Sequence, residues 1–405
     1  MLLPSLLLAA VYIGYAATQY LAHYFSEKPD LVSLQRAAKL QPGNADYRYR
    51  VGRYFLLVER SPEAAVRSYS VAVALNPHKA RYWFDLAAAY QLLGDRDEQK
   101  NALEHALRAD PNTPDFAWEA ANLYLVQGET DKALREFRVV IENDPYLPQA
   151  ALQLCWRVKP DADALLRDAI PPTPAAYSSF LDLLISKKET AAAAKVWAQL
   201  VQLHQPVEAG WAFVYIRYLI AQGEVDQARL VWQQAANLCG LSAYQPSSEN
   251  LVINGDFSLN VLNGGFDWLY HRSKDVSLAL DPTQSHSGHR SLAIVFDSRG
   301  IEDAGIRQLI PVQPNTTYDF SAYFKAEDIQ GAGGPRFAIQ DLYSATAYFV
   351  SDELKDADFW KPVSGTFTTA PDAKLLVLRV QRVPAGSPIK GKLWIDGVRL
   401  VQKEP

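Results

Sequence analysis

The stretch "LVQGETDKALREF", Leu125 to Phe137, reads as the end of one helix, a turn at Gly128 and the start of a second helix. The pattern recurs along the chain. Subtracting 34 from Tyr124, Gly128, Phe137, Val140, Ile141 and Pro145 lands on Tyr90, Gly94, Leu103, Ala106, Leu107 and Pro111. Trp83, Leu86, Ala87 and Tyr90 mark the inner face of the first helix in the earlier unit. Pro42, Pro77, Pro111 and Pro145 each close a helix, at spacings of 35, 34 and 34 residues by subtraction of positions. A helical hairpin of that size cannot bury its apolar face alone, so neighbouring hairpins must stack.

These residues resemble the tetratricopeptide repeat, in which small residues and a glycine turn recur at fixed offsets. Gln99 departs from the pattern where the family prefers a small residue, as Ala133 is one period later, and looser packing is expected there. The unit ending at Pro77 keeps Gly52, Ala65, Tyr69 and Ala72. "CWRVKPDADALLRDAIPPTP", Cys155 to Pro174, reads as a degenerate half-unit, after which Trp197 and Trp232 restore the spacing. The array is expected over residues 31–239. The resemblance implies an α-superhelix whose groove binds protein segments. Arg81, Asp85, Glu119 and Asn122 are the groove candidates, read as exposed polar residues of first helices, and a solvated helix face is the alternative reading. The aromatic positions are read as core.

Helical periodicity stops at "GLSAYQPSSEN", and residues 240–249 are read as a linker. "NLVINGDFS", Asn250 to Ser258, reads as the first strand of a β domain over residues 250–405. "TTYDFSAYFKA", Thr316 to Ala326, alternates: Tyr318, Phe320, Ala322 and Phe324 face one way, and Asp319, Ser321, Tyr323 and Lys325 the other. "RFAIQD", "LLVLRVQRV" and "KLWIDGVRLV" behave alike, as in an antiparallel sandwich.

"NLVINGDFS", "GFDW", "HSGHRSL", "IRQLIPVQPNTTYDFSAYFKA", "FWKPVSGTFTT" and "LWIDGVRLV" follow one another as in the carbohydrate-binding modules related to families 4, 9 and 22. That resemblance implies a galactose-binding-like jelly roll that holds a glycan on the concave face of one sheet. The matching face would carry Asp319, Ser321, Tyr323 and Lys325, with Arg336 and Gln340 on one neighbouring strand and Arg379 and Gln381 on another. Planar amides and guanidinium groups suit sugar hydroxyls, and Tyr323 is the obvious stacking residue. An ordinary polar outer face of a sandwich is the alternative. Trp268 and Trp360 are expected in the core. The resemblance also implies a structural calcium site formed by Asp256, Asp396 and backbone oxygens of Ser287 to His289. Ser258 stands where many members of the family carry a second acid.

With 49% hydrophobic and 21% charged residues the chain is globular, and a formal net charge of −5 leaves no basic footprint for nucleic acid. Cys155 and Cys239 are expected as buried free thiols, with a single long-range disulfide as the alternative in an exported chain. His286 and His289 in "HSGH" lack a third ligand at metal-site spacing and read as a strand-connecting turn. Nucleophile-elbow, phosphate-loop and HExxH motifs are missing, so a non-enzyme with no required cofactor is expected. Residues 1–26 carry no Asp, Glu, Lys or Arg and are read as a membrane anchor, with a cleaved signal peptide or a helix stacked on the next repeat as alternatives. The expected architecture is anchor helix, tetratricopeptide α-superhelix and C-terminal antiparallel β-sandwich. The expected function is a membrane-tethered scaffold facing the periplasm or cell exterior in envelope or exopolysaccharide assembly, with protein and polysaccharide partners. A purely structural interaction protein and an accessory subunit of a glycan-active enzyme are the alternatives.

Overall fold

The computed structural model describes residues 2–144, 146 and 148–403, with the side chains of residues 2–7 and 298 left aside. Among them fourteen α-helices precede ten antiparallel strands. The chain divides into two compact units, Met1–Leu200 and Val201–Pro405. That boundary differs from the linker at residues 240–249, because the last helical hairpin groups with the sandwich.

The first unit holds α1 (Leu2–Ser26), α2 (Leu31–Leu40), α3 (Ala45–Leu57), α4 (Pro62–Leu75), α5 (Ala80–Leu93) and α6 (Arg96–Ala109). It continues with α7 (Pro114–Val126), α8 (Thr130–Asn143), α9 (Pro148–Val158), α10 (Ala162–Asp168), α11 (Pro174–Lys187) and α12 (Thr190–Gln202). Helices pair as the period requires, α3 with α4, α5 with α6 and α7 with α8. Ala65, Tyr69, Ala72, Phe137 and Val140 are fully buried. Gly52 is where α3 meets Tyr69: a Cβ there would lie 2.5 Å from the ring. Gln99 is buried. The degenerate unit is explained by α10, which is cut to 7 residues before Pro171 and Pro172. Pro145 lies outside the described residues.

The α5–α6 and α7–α8 turns share one cap. The Asp95 N–H donates to Tyr90 O (3.1 Å) across Gly94 at φ +76°, and the Glu129 N–H to Tyr124 O (2.8 Å) across Gly128 at φ +77°. At the end of α11 the Glu189 N–H donates to Leu184 O (2.9 Å), but the left-handed position is Lys188, φ +60°.

Residues 2–26, read as an anchor, form the single helix α1. Among the described residues no helix is long and apolar enough to cross a membrane. Thr18, Gln19 and His23 interrupt the apolar run, and Gln19 is hydrogen-bonded by Gln41. Ala22 and Phe25 pack into a cluster with Leu34, Ala37, Tyr47 and Val51, so the C-terminal half stacks on the next helices. Leu8, Val11, Tyr12, Ile13, Tyr15 and Tyr20 stay exposed. Cys155 is buried and Cys239 half-buried, and both are free thiols. Burial pushes the Cys155 thiol up to about 12.

The second unit contains α13 (Ala209–Ala221), α14 (Val225–Leu238) and two five-stranded antiparallel sheets. The strands are β1 (Leu269–Tyr270), β2 (Val276–Asp281), β3 (Ser291–Gly300), β4 (Asp303–Pro311), β5 (Thr317–Gly331), β6 (Gly334–Asp341), β7 (Ala347–Val350), β8 (Lys361–Thr368), β9 (Leu375–Val383) and β10 (Pro388–Gln402). The first sheet runs β1-β4-β9-β6-β7 and the second β2-β3-β10-β5-β8. Their inner faces share one core, Phe337, Leu376, Leu378 and Val380 from the first meeting Phe320, Phe324, Leu393 and Ile395 from the second.

"NLVINGDFS" is not a strand. It lies as a loop in which Leu251 donates to Leu400 O (2.9 Å) and the fully buried Gln308 amide satisfies both backbone groups of Ile253 (2.9 and 2.8 Å). The linker folds back on α14, whose Trp232 Nε1 donates to Tyr244 O (3.0 Å). The α13–α14 hairpin then seats on Gly264–Gly265. A Cβ on Gly264 would lie 2.1 Å from Phe213, and one on Gly265 would lie 2.0 Å from Trp232. Phe266 packs edge-on against Trp232 (6.1 Å), and the Tyr343 hydroxyl donates to Ile220 O (2.8 Å).

Next to this seat Asp267 is fully buried, one oxygen accepting from Leu262 N (2.7 Å) and the other unpartnered. Burial raises its carboxyl from 3.8 to about 6, against the lowering effect of the Leu262 and Trp268 N–H groups. The fold therefore favours the neutral form. The stability this contributes is complete below the unfolded value and is lost as pH rises through the folded one.

Two outcomes are expected. Asp267→Asn should raise the unfolding free energy by about 1–2 kcal/mol near pH 7 and leave it unchanged below about pH 4, read by denaturant melts at both. Lys188→Gly should add about 0.5–1 kcal/mol, because relief of left-handed strain exceeds the extra unfolded-state freedom of glycine; thermal melting checks it.

Candidate functional site

The eight glycan candidates do not share a face. β5 belongs to the second sheet, whereas β6 and β9 adjoin each other in the first. Alternation turns Asp319, Ser321, Tyr323 and Lys325 to the outside of one sheet and Arg336, Gln340, Arg379 and Gln381 to the outside of the other, across the core.

On the second sheet the group is occupied internally. His286 stacks on the Tyr323 ring at 3.5 Å and 14°, and Trp360 meets His286 edge-on at 5.9 Å. The expected stacking platform is therefore covered. Trp360, expected in the core, is only half-buried, whereas Trp268 is buried against Phe257 (5.2 Å) with its Nε1 donating to Asn254 O (3.1 Å). Asp319 accepts from Thr366 (2.6 Å), and Lys325 donates to Gln284 (3.0 Å) beside the Trp394 ring. Ser321 lies in register between Arg399 and Ser364.

The outer face of the first sheet is built in rows. Asp303, Gln381 and Arg336 pair across β4, β9 and β6 in one row; Leu269, Arg307, Arg379 and Ala338 form the next; Leu309, Val377 and Gln340 the third. Arg379 donates to Gln340 Oε1 (3.1 Å) and comes within 4.0 Å of Asp303. Arg336 donates to Ser351 O (2.8 Å) and pairs with Glu353 at 3.2 Å. The Nε atoms of Arg336 and Arg379 are buried without a partner. On the β1 side α13 stands over the sheet, leaving a cleft of about 640 Å³ lined by Arg217, Tyr270, His271, Asp303, Arg307 and Tyr343, among others. The sequence analysis missed these six. Alternation in "DAGIRQLIP" carries the signal for Arg307, but nothing local places a helical arginine such as Arg217 over a sheet.

Of the groove candidates, Asp85 is corrected. It is buried, accepts from the Tyr49 hydroxyl (2.7 Å) on α3 and pairs with Arg81 (3.2 Å). Burial first, then the Asp85 carboxylate, pushes Tyr49 up to about 12. Arg81 and Glu119 are exposed, and the half-buried Asn122 donates to Trp118 O (2.8 Å) on its own helix.

Asp256 and Asp396 approach the 286–289 turn from two sides. Asp396 is fully buried and accepts from His286 N (2.6 Å), Ser287 N (2.8 Å), Ser287 Oγ (3.0 Å) and Gly397 N (2.6 Å). Asp256 caps its own turn by accepting from Ser258 N (3.2 Å) and Ser258 Oγ (2.7 Å). The turn thus gives Asp396 N–H and hydroxyl donors. Among the described residues no group of three or more His, Cys, Asp or Glu could hold a metal.

Residues 249–386 match the family described as carbohydrate binding domain, and residues 80–113 match the tetratricopeptide repeat. The chain combines tetratricopeptide repeats with a C-terminal domain like a carbohydrate-binding module. Among solved structures, a crystal structure of MamA is 17% identical and covers 42% of this chain and 85% of its own, with a TM-score of 0.28. One described as CBM4 structure and function is 16% identical over 38% of this chain and 99% of its own, TM-score 0.29. A Family 16 Carbohydrate Binding Module-2 is 20% identical over 38% and 99%, TM-score 0.27. No curated protein matches the chain.

Asp85→Ala should destabilise the first unit by about 1–3 kcal/mol by orphaning the buried Tyr49 hydroxyl, whereas Glu119→Ala should stay within about 0.5 kcal/mol. Denaturant melts of the two variants check the contrast.

Proposed function

We propose that this chain is a non-catalytic scaffold that takes a protein segment on its tetratricopeptide superhelix and a glycan on the outer face of the first sheet. Both domain types are typically non-catalytic. The observation that carries the glycan half is the cleft of about 640 Å³ lined by Asp303 and Arg307 of β4, whose register partners on the outer face of β9 are Gln381 and Arg379, the latter bonded to Gln340 of β6. Its size is that of small-ligand sites. Guanidinium and amide groups supply fork-shaped donors for sugar hydroxyls, and Tyr270 and the half-exposed Tyr343 supply ring faces.

The tether and the location belong to the same proposal. The exposed side chains from Leu8 to Tyr20 on α1 suit an apolar surface such as a lipid interface. A glycan-binding face is useful where glycans accumulate, at the cell exterior or in the envelope. No metal is required in this reading.

One observation favours a second reading. The α13 helix already stands over the β1 side of the sheet, so the sandwich also serves as a docking platform for the chain's own helices. In that reading the domain binds no sugar.

The test is titration of the full chain with a panel of soluble oligosaccharides by calorimetry. Binding is expected, weakened roughly tenfold by Gln340→Ala or Gln381→Ala and unchanged by Tyr323→Ala, whose ring His286 covers. Sensitivity to Tyr323→Ala alone would move the site to the second sheet. Retention of no saccharide would leave the docking reading.

A further inference from the structure

We infer that the cleft takes the end of a carboxylate-bearing saccharide, such as a uronic-acid oligosaccharide, with Arg217, Arg307 and Arg379 meeting the anion. This rests on the glycan reading above and names its ligand class.

Arg307 and Arg379 stand directly opposite each other on β4 and β9. Like charges in that register repel and destabilise a sheet. Counter-charges are few. Asp303 reaches Arg379 only at 4.0 Å, and its Oδ1 accepts from Gly305 N (2.7 Å). Glu353 is held by both Arg336 (3.2 Å) and Lys355 (2.7 Å). Among the described residues neither Arg217 nor Arg307 enters an ion pair, and both line the cleft. The whole chain carries a net charge of −5, so this local excess of arginine is not a reflection of composition. Guanidinium groups bind carboxylates through paired, charge-assisted hydrogen bonds, and a bound carboxylate would turn the repulsion between the two strands into shared attraction.

The walls define which part of the saccharide enters. α13 closes the β1 side, and the Tyr343 hydroxyl on Ile220 O (2.8 Å) ties the neighbouring turn to the same helix. A strand of sugar lying across β6 and β9 meets this wall and stops. The cleft therefore reads a terminus, and its acidic group is read by Arg217 and Arg307 in the lining with Arg379 beside Arg307 on the next strand.

The experiment is calorimetry on the full chain with trigalacturonate, cellotriose and high-molecular-weight polygalacturonate, at low and high salt. Trigalacturonate is expected to bind at least about tenfold more tightly than cellotriose, with the difference shrinking in salt. Arg307→Gln and Arg379→Gln should each abolish that preference, and Arg307→Lys should restore part of it. Polymer affinity should scale with the concentration of chain ends. Circular dichroism melts establish that each variant folds, and either arginine variant suffices if the other does not. Equal binding of the acidic and neutral trimers, or a preference that survives both Gln variants, would overturn the acidic ligand while leaving the glycan reading intact. Polymer affinity that follows total sugar mass would overturn the terminus. If no saccharide binds, the glycan reading and this inference fall together.

Discussion

Two adjacent residues without side chains govern the second unit. Gly264 and Gly265 let Phe213 and Trp232 come as close to the sandwich backbone as van der Waals contact permits, and any Cβ there would occupy the same space as the rings. Gly265 also holds φ +60°, which adds a conformational reason for glycine to the steric one. With the rings seated, Phe266 can pack edge-on against Trp232 and the α13 helix is carried over β1 and β4. The cleft exists because that helix is held there. Asp267, buried beside the same seat with an unpartnered oxygen, shows that the sequence tolerates an electrostatic cost at this joint.

The helical half was legible because its constraints are local. A left-handed glycine every 34 residues is a backbone requirement at one position, and Gly94 and Gly128 fulfil it with the same hydrogen bond. Lys188 escaped notice because the structure holds a lysine in that conformation where the pattern writes glycine. Asp85 was read as exposed because helical phase places a residue on a face without saying which partner covers it, and Tyr49 arrives from another helix.

In the β half, alternation fixed the side of each strand that faces the core, and Tyr318, Phe320, Ala322 and Phe324 lie inside as their pattern requires. Strand order is a different quantity. Nothing in the alternation of β5, β6 and β9 states that the first lies in one sheet and the other two in the opposite one, since that depends on long connections. The expected face was therefore a composite of two. For the same reason the cover over Tyr323 was invisible: His286 belongs to a turn between β2 and β3 that reaches the ring only in three dimensions. The opening loop "NLVINGDFS" has strand composition, yet a glutamine side chain satisfies the backbone of Ile253 that a neighbouring strand would have satisfied.

The start and the finish of the sandwich are fastened to each other. Leu251 N donates to Leu400 O, the Asn250 amide donates to Val398 O, and Asn250 Oδ1 accepts from Leu400 N, while β10 itself lies in the middle of its sheet between β3 and β5. Mechanical tension entering at Asn250 and leaving after β10 thus runs through a short clasp of hydrogen bonds and bypasses the apolar interior. A load applied between Asn250 and the end of β10 is met first by this clasp, and the outer face of the first sheet keeps its shape until the clasp opens.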